Sequence, residues 1–104
     1  MQEQLIFRAI SDPTRRSIMA LLAGKEYSLN EIAANYDMTR PAVTKHLNIL
    51  KEGGLIRVRT RGRERLHRLQ PETLKTVSDW LSFFDQFWDD KLADLKQAVE
   101  ADND

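Results

Sequence analysis

Two stretches of this chain carry side chains whose types and spacing suit recognition of a polyanion. The first runs from Thr39 to Asn48, with Arg40, Pro41, Ala42, Val43, Thr44, Lys45, His46 and Leu47 between them. If Val43, Leu47 and Leu50 form the inward stripe of a helix, then Pro41, Thr44, Lys45 and Asn48 occupy the opposite face. No acid falls on that face before Glu52. Arg40, Thr44 and Lys45 then place hydrogen-bond donors on the N-terminal half of a helix, the part that enters a major groove. Arginine and lysine pair with guanine, a threonine methyl touches a thymine methyl, and a helix N-terminus attracts phosphate. A solvated helix face is the competing reading.

The second stretch holds Arg57, Arg59, Arg61, Arg63, Arg65 and Arg68 against one acid, Glu64. Gly62 allows a tight turn in its middle, so the arginines belong to a hairpin with a basic tip at Arg61, Gly62 and Arg63. Such a finger suits phosphates or a narrow minor groove. Charge on an exposed edge strand also blocks aggregation, but lysine would serve that purpose equally well. The preference for arginine favours nucleic acid.

Other chemistries find little support. Cysteine is absent, which excludes disulfides, thiolate metal sites and a cysteine nucleophile. The histidines are His46 and His67. His46 sits on the flank of the apolar stripe, either packed and bonded to backbone or contacting nucleic acid. His67 suits an aromatic packing position on a strand. Asp79, Asp85, Asp89, Asp90 and Asp94 crowd one C-terminal segment with no histidine among them, and zinc prefers nitrogen or sulfur. Asp85 and Asp89 could hold a hard cation loosely, against the plainer reading of a solvated acidic face. No glycine-rich phosphate loop and no histidine–carboxylate pairing points to an enzyme. No cofactor and no metal site is expected.

The elements that must position these residues are legible. A first helix covers residues 3–10, with Leu5, Ile6, Ala9 and Ile10 apolar. Asp12 caps a second helix, Pro13 suits its first turn, and Gly24 stops it after Ile18, Leu21 and Leu22. Ser28 and Glu31 form a capping box, with Tyr27 and Ile32 as its hydrophobic staple. Leu29, Ile32, Ala33 and Tyr36 carry this third helix to about residue 37. Thr39 caps the fourth, which Gly53 and Gly54 end. About two residues therefore separate the third and fourth helices, a helix-turn-helix spacing. Period-two alternation follows from Ile56, then a turn, then a second strand from Glu64 to Leu69 on which Leu66 and Leu69 cannot share one face. Pro71 opens a last helix reaching about Val99. Its apolar series is Leu74, Val77, Leu81, Phe84, Trp88, Leu92, Leu95 and Val99, widened by Trp80, Phe83 and Phe87. The tail from Ala101 is acidic and expected to fray. The fold class is mainly α with a small β-hairpin: five helices and a two-stranded wing in one domain spanning residues 1–104.

The net charge is zero but divided. Residues 1–69 hold 13 basic and 7 acidic residues; residues 70–104 hold 3 and 9. One part is suited to a polyanion and the other to a different task. No apolar run is long enough to span a membrane, and MQEQLIF lacks the pattern of a secretory signal, so the expected location is cytoplasmic.

The combination FRAISDPTRRSIMALLAG followed by SLNEIAANYDMTRPAVTKHLNILKEGGLIRVRTRGRERLHRL resembles the ArsR/SmtB family of winged-helix repressors. SDPTR, PAVTKHLNIL, GLI and RGR carry the resemblance over roughly residues 5–70. The resemblance implies a homodimer binding a pseudo-palindromic operator in double-stranded DNA. It places Thr39, Arg40, Pro41, Ala42, Thr44, Lys45 and His46 in the DNA-reading helix segment, and Arg61, Gly62 and Arg63 at the wing tip. It also implies a dimer interface built from the first and last helices, through Leu5, Ile6, Leu74, Val77, Leu81, Phe84, Trp88, Leu92 and Leu95. Metal-sensing relatives carry cysteines where this chain has Ser28, Leu29, Asn30 and Glu31, or paired Asp and His residues in the last helix. This chain has neither, so metal sensing does not carry over. The runner-up is a winged-helix module that binds protein instead of DNA.

Overall fold

The computed structural model describes residues 2–102. Helix α1 spans Gln2–Ile10 and α2 spans Pro13–Gly24. A two-residue strand β1, Tyr27–Ser28, precedes α3, Leu29–Ala33, and α4, Arg40–Glu52. Strands β2, Ile56–Arg61, and β3, Glu64–Leu69, form the hairpin. A 3-10 turn at Pro71–Leu74 leads into α5, Lys75–Ser82, and then α6, Asp85–Asp102.

Local capping chemistry sets three helix starts. The Asp12 carboxylate accepts from the Arg15 N–H at 3.1 Å. The Ser28 hydroxyl accepts from the Glu31 N–H at 3.2 Å, while the Glu31 carboxylate accepts from the Ser28 N–H at 2.9 Å. The Thr39 hydroxyl accepts from the Ala42 N–H at 3.2 Å. Each bond satisfies an N–H left without an intrahelical partner.

The core gathers Ile6 and Ala9 of α1, Ile18, Met19 and Leu22 of α2, Ile32 of α3, and Val43, Leu47 and Leu50 of α4. Leu55 and Ile56 close it from the start of the hairpin. Gly53 is where α4 crosses α1: a Cβ there would lie 3.1 Å from the Leu5 carbonyl oxygen. Gly54, at φ +72°, turns the chain out of α4 in a conformation that L side chains rarely adopt.

Three features differ from the sequence reading. Six α-helices occur among the described residues, because the expected final helix is divided. The Phe84 N–H reaches back to the Leu81 carbonyl and the Phe87 N–H to Phe84, so the ladder tightens to a three-residue step between α5 and α6. The Ser82 hydroxyl donates to the Ser78 carbonyl at 2.9 Å in the turn before the break. The sheet has three strands in the order β1–β3–β2, since Tyr27 pairs with His67 and Ser28 with Leu66. Helix α3 stops at Ala33, where Asn35 and Tyr36 turn back onto Ile32 and Ala33 in three-residue steps, so more chain than expected separates α3 from α4. Ala101 is helical; Asn103 and Asp104 of the tail lie outside the described residues.

Helix α6 projects from the body and makes the molecule 69 Å long against 30 and 21 Å across. Its described side chains are all exposed, including Phe87, Trp88, Leu92, Leu95 and Val99.

Candidate nucleic-acid interface

Helix α4 turns Val43, Leu47 and Leu50 inward. That rotation leaves Arg40, Pro41, Thr44, Lys45 and Asn48 exposed and Ala42 and His46 half-buried. The predicted outward residues thus share one surface. Thr39 is exposed at its N-terminus, with its hydroxyl holding the cap.

Concave recesses flank α4. One, about 330 Å³, lies toward the wing, where Thr44 and Asn48 face Arg63, Arg65 and His67. The other, about 520 Å³, is bounded by Arg40, Lys45 and Glu52 of α4 and by Arg8 of α1. Arg8 was missed by sequence reasoning. Only the crossing of α1 over α4 brings it there, and nothing in the local pattern around Phe7 and Arg8 signals it.

The turn at Gly62 and Arg63 joins Arg61 to its cross-strand partner Glu64. Gly62 has φ +63° and Arg63 does not have a positive φ, the backbone pattern of a II′ hairpin turn. The register then sorts the arginines. Val58 opposes His67 and Thr60 opposes Arg65 on the face toward α4. Arg57 opposes Arg68, Arg59 opposes Leu66, and Arg61 opposes Glu64 on the other face. Arg57, Arg59 and Arg68 converge there around Glu26, in a recess that no α4 residue borders. The basic hairpin is therefore two surfaces. Arg63 and Arg65 adjoin the helix, while Arg57, Arg59, Arg68 and the predicted wing-tip residue Arg61 turn away from it. The Arg59 guanidinium holds the Glu26 carboxyl below its ordinary range.

His67 is buried in the sheet, as an aromatic packing position requires. Its Nδ1–H donates to the Tyr27 carbonyl at 3.0 Å, and burial pushes its pKa below the ordinary histidine value. Among the described residues no three His, Asp or Glu side chains converge as a metal site.

The bacterial regulatory protein family named for arsR matches residues 12–58, the stretch from the Asp12 cap to Val58 of the wing. The transcriptional repressor SdpR of Bacillus subtilis is 35% identical over 79 residues, covering 76% of this chain and 88% of that protein. The HTH-type transcriptional regulator Rv2034 of Mycobacterium tuberculosis is 33% identical over 98 residues, covering 94% and 89%. The chain belongs to the arsR family. An ArsR-like transcriptional regulator from Rhodococcus sp. RHA1 superposes with a TM-score of 0.77 at 32% identity, over 96% of this chain and 92% of that one. This arsR-family protein is a DNA-binding transcriptional regulator and not an enzyme. Its fold is the winged helix of its structural relatives.

The predicted interface residues divide by burial. Ile6 is 2% exposed and belongs to the core of the single chain. Leu74 and Val77 pack half-buried against that core, and Leu5 is half-buried on α1. Leu81, Trp88, Leu92 and Leu95 are exposed, Trp88 to 67%. Phe84 is half-buried in an aromatic run with Phe7, Trp80, Phe83 and Phe87; Phe7 and Trp80 meet edge to face at 5.4 Å and so tie α1 to α5.

Proposed function

We propose that the protein is a sequence-specific repressor that binds an inverted-repeat operator as a homodimer and does not release it in response to metal. The observation that carries the DNA reading is the outer face of α4, free of acids from Arg40 to Lys51 and set between Arg63 and Arg65 on one flank and Arg8 and Arg40 on the other, with Glu52 and Glu64 at the far edges of the two recesses. Thr44, Lys45 and Asn48 read base edges in the major groove, while Arg63 at the wing tip and Arg65 beside it, on the face toward α4, hold phosphate or enter the minor groove. Two-fold symmetry then sets the recognition helices about one DNA turn apart, roughly 34–36 Å.

The dimer reading rests on the apolar side chains that α5 and α6 leave in water. Monomers rarely expose a contiguous apolar surface of this kind, and a second copy of the same helices is self-complementary to it. Metal independence rests on the absence of cysteine from the chain and of histidine from α5 and α6. The site of action is the cytoplasm, where a bacterial-type operator lies.

The test is binding of cognate and random duplexes across a salt series. Thr44→Ala and Lys45→Ala should weaken cognate binding by about 1–3 kcal/mol each and random binding much less. If neither changed cognate affinity, α4 would not be the reading element. If the protein bound no duplex, a protein-binding winged helix would be the better description.

A further inference from the structure

Helix α1 delivers a cation that belongs neither to the recognition helix nor to the wing. Arg8 is exposed in the last turn of α1. It borders the recess of about 520 Å³ on the flank of α4 away from the wing, which it shares with Arg40, Thr44, Lys45 and Asn48 of the reading face. Three cations meet one carboxylate there, Glu52. None of Arg8, Arg40 and Lys45 forms a salt bridge among the described residues.

The backbone of Arg8 is anchored to α4. Its carbonyl accepts from the Ser11 hydroxyl at 2.7 Å and from Nη2–H of Arg15 at 3.0 Å. Arg15 is 8% exposed. Its Nε–H donates to the Ala9 carbonyl at 2.8 Å, and its Nη1–H to Nδ1 of His46 on α4 at 3.2 Å. A guanidinium has only donors, so the imidazole nitrogen accepts. One buried side chain therefore ties the end of α1 to the middle of α4, and Arg8 is held beside the reading face before any DNA is bound.

An α-helix about 10–12 Å across fills a major groove about 12 Å wide. Side chains along its two flanks then meet the phosphate strands that bound the groove. Arg63 and Arg65 hold one flank of α4, and Arg8 holds the other. The two flanks are not equivalent in a dimer. Phe7, next to Arg8, packs edge to face on Trp80 of α5 at 5.4 Å, and the apolar surface left in water continues from there into α6. The Arg8 flank is the side next to a second copy joined through that surface, and the wing is the side away from it.

We propose that Arg8 is a DNA-binding residue: it neutralises a phosphate between the two half-sites, while the wing arginines hold phosphates at the outer ends of the operator. This rests on the DNA-binding and homodimer readings above. Phosphate contacts set register without reading sequence, so Arg8 acts alike on cognate and random DNA. A cation in the last turn of a helix also complements the helix dipole, a role that would leave DNA affinity untouched.

The test uses the whole chain with a duplex that the wild-type protein selects from a random-sequence pool, beside an unselected duplex. Arg8→Ala should weaken binding to both by about tenfold, since a dimer makes the contact twice. It should also flatten the plot of log affinity against log salt by about 0.9 per phosphate contact, twice that in a dimer. Arg8→Lys keeps the charge and should keep the slope. The absence of cysteine allows the position to be read directly. Arg8→Cys and Arg63→Cys, each coupled to an iron chelate that cleaves nearby DNA backbone, should cut the selected duplex at different places. Position 63 should give two outer clusters of cleavage, and position 8 should cut between them. An unchanged salt slope in a folded Arg8→Ala protein would overturn the inference, and so would cleavage from position 8 outside the clusters from position 63. A single cluster from position 63 would remove the homodimer reading and the central position of Arg8 with it. Failure of the wild-type protein to bind any duplex would remove the DNA reading and the inference together.

Discussion

Arg59 closes a two-pronged ion pair on Glu26, Nε to Oε2 at 2.6 Å and Nη2 to Oε1 at 2.8 Å, on the sheet face turned away from α4. The guanidinium at the middle of the basic hairpin is therefore already occupied. Its neighbours Arg57 and Arg68 stand directly opposite each other across the strands, an arrangement of like charge that costs stability.

Wing arginines should accordingly differ in their effect on DNA. Arg63→Ala and Arg65→Ala are expected to weaken cognate and random duplexes together. They should flatten the plot of log affinity against log salt by about 0.9 for each phosphate no longer neutralised, twice that in a dimer. Arg57→Ala and Arg68→Ala are expected to leave that slope unchanged, and Arg57→Ala should raise thermal stability slightly by removing a like-charge pair. Fluorescence anisotropy over a salt series measures the first effect, and a flatter slope in Arg57→Ala would contradict the division of the wing into two surfaces.

Trp88→Glu should give a folded monomer. Trp88 is 67% exposed on the single chain, so a carboxylate there meets water in the monomer and is desolvated only in a dimer. Phe84→Glu differs, because Phe84 also packs edge to face on Trp80 at 5.1 Å within the chain. That variant should lose both association and helical content. Light scattering with circular dichroism separates the outcomes; an unchanged dimer mass in Trp88→Glu would exclude α6 from the interface.

The pH dependence of stability has a predictable sign. Burial depresses the pKa of His67 below 6.5, so the unfolded chain binds a proton more readily than the folded one. Stability is then full above about pH 6.5 and falls as the pH drops through the folded pKa. Asp12, Glu26 and Glu31 are also lowered, from 3.8, 4.5 and 4.5, so their contribution disappears only in stronger acid. Urea midpoints between pH 7.5 and 5.5 should fall in the wild-type protein and fall less in His67→Gln. Equal slopes in the two proteins would assign the effect elsewhere.

Zinc, copper or cadmium at low micromolar concentration should leave operator binding intact. The chain has no cysteine, and α5 and α6 carry carboxylates without the nitrogen ligands that zinc selects. Stoichiometric release of DNA by zinc, reversed by a chelator, is the contrary result.

Features set by short-range chemistry could be read from the order of residues alone. The caps at Asp12, Ser28 and Thr39 each link residues three apart, so their residue types predict the hydrogen bonds that form. The outward face of α4 follows from helical periodicity, and the tip at Gly62 from the φ that only glycine adopts readily. Features that depend on elements meeting were settled only by folding. Strand register, fixed by pairing β3 against both β1 and β2, sent Arg57, Arg59 and Arg68 away from the recognition helix. The crossing of α1 over α4 brought Arg8 beside Lys45 and buried Ile6 inside the chain. The Arg15–His46 hydrogen bond spans 31 residues, and the break between α5 and α6 lies where the Phe84 and Phe87 N–H groups take three-residue steps. Periodicity records which side of an element is apolar; it does not record which neighbour will cover that side, because packing chooses the neighbour from the whole chain.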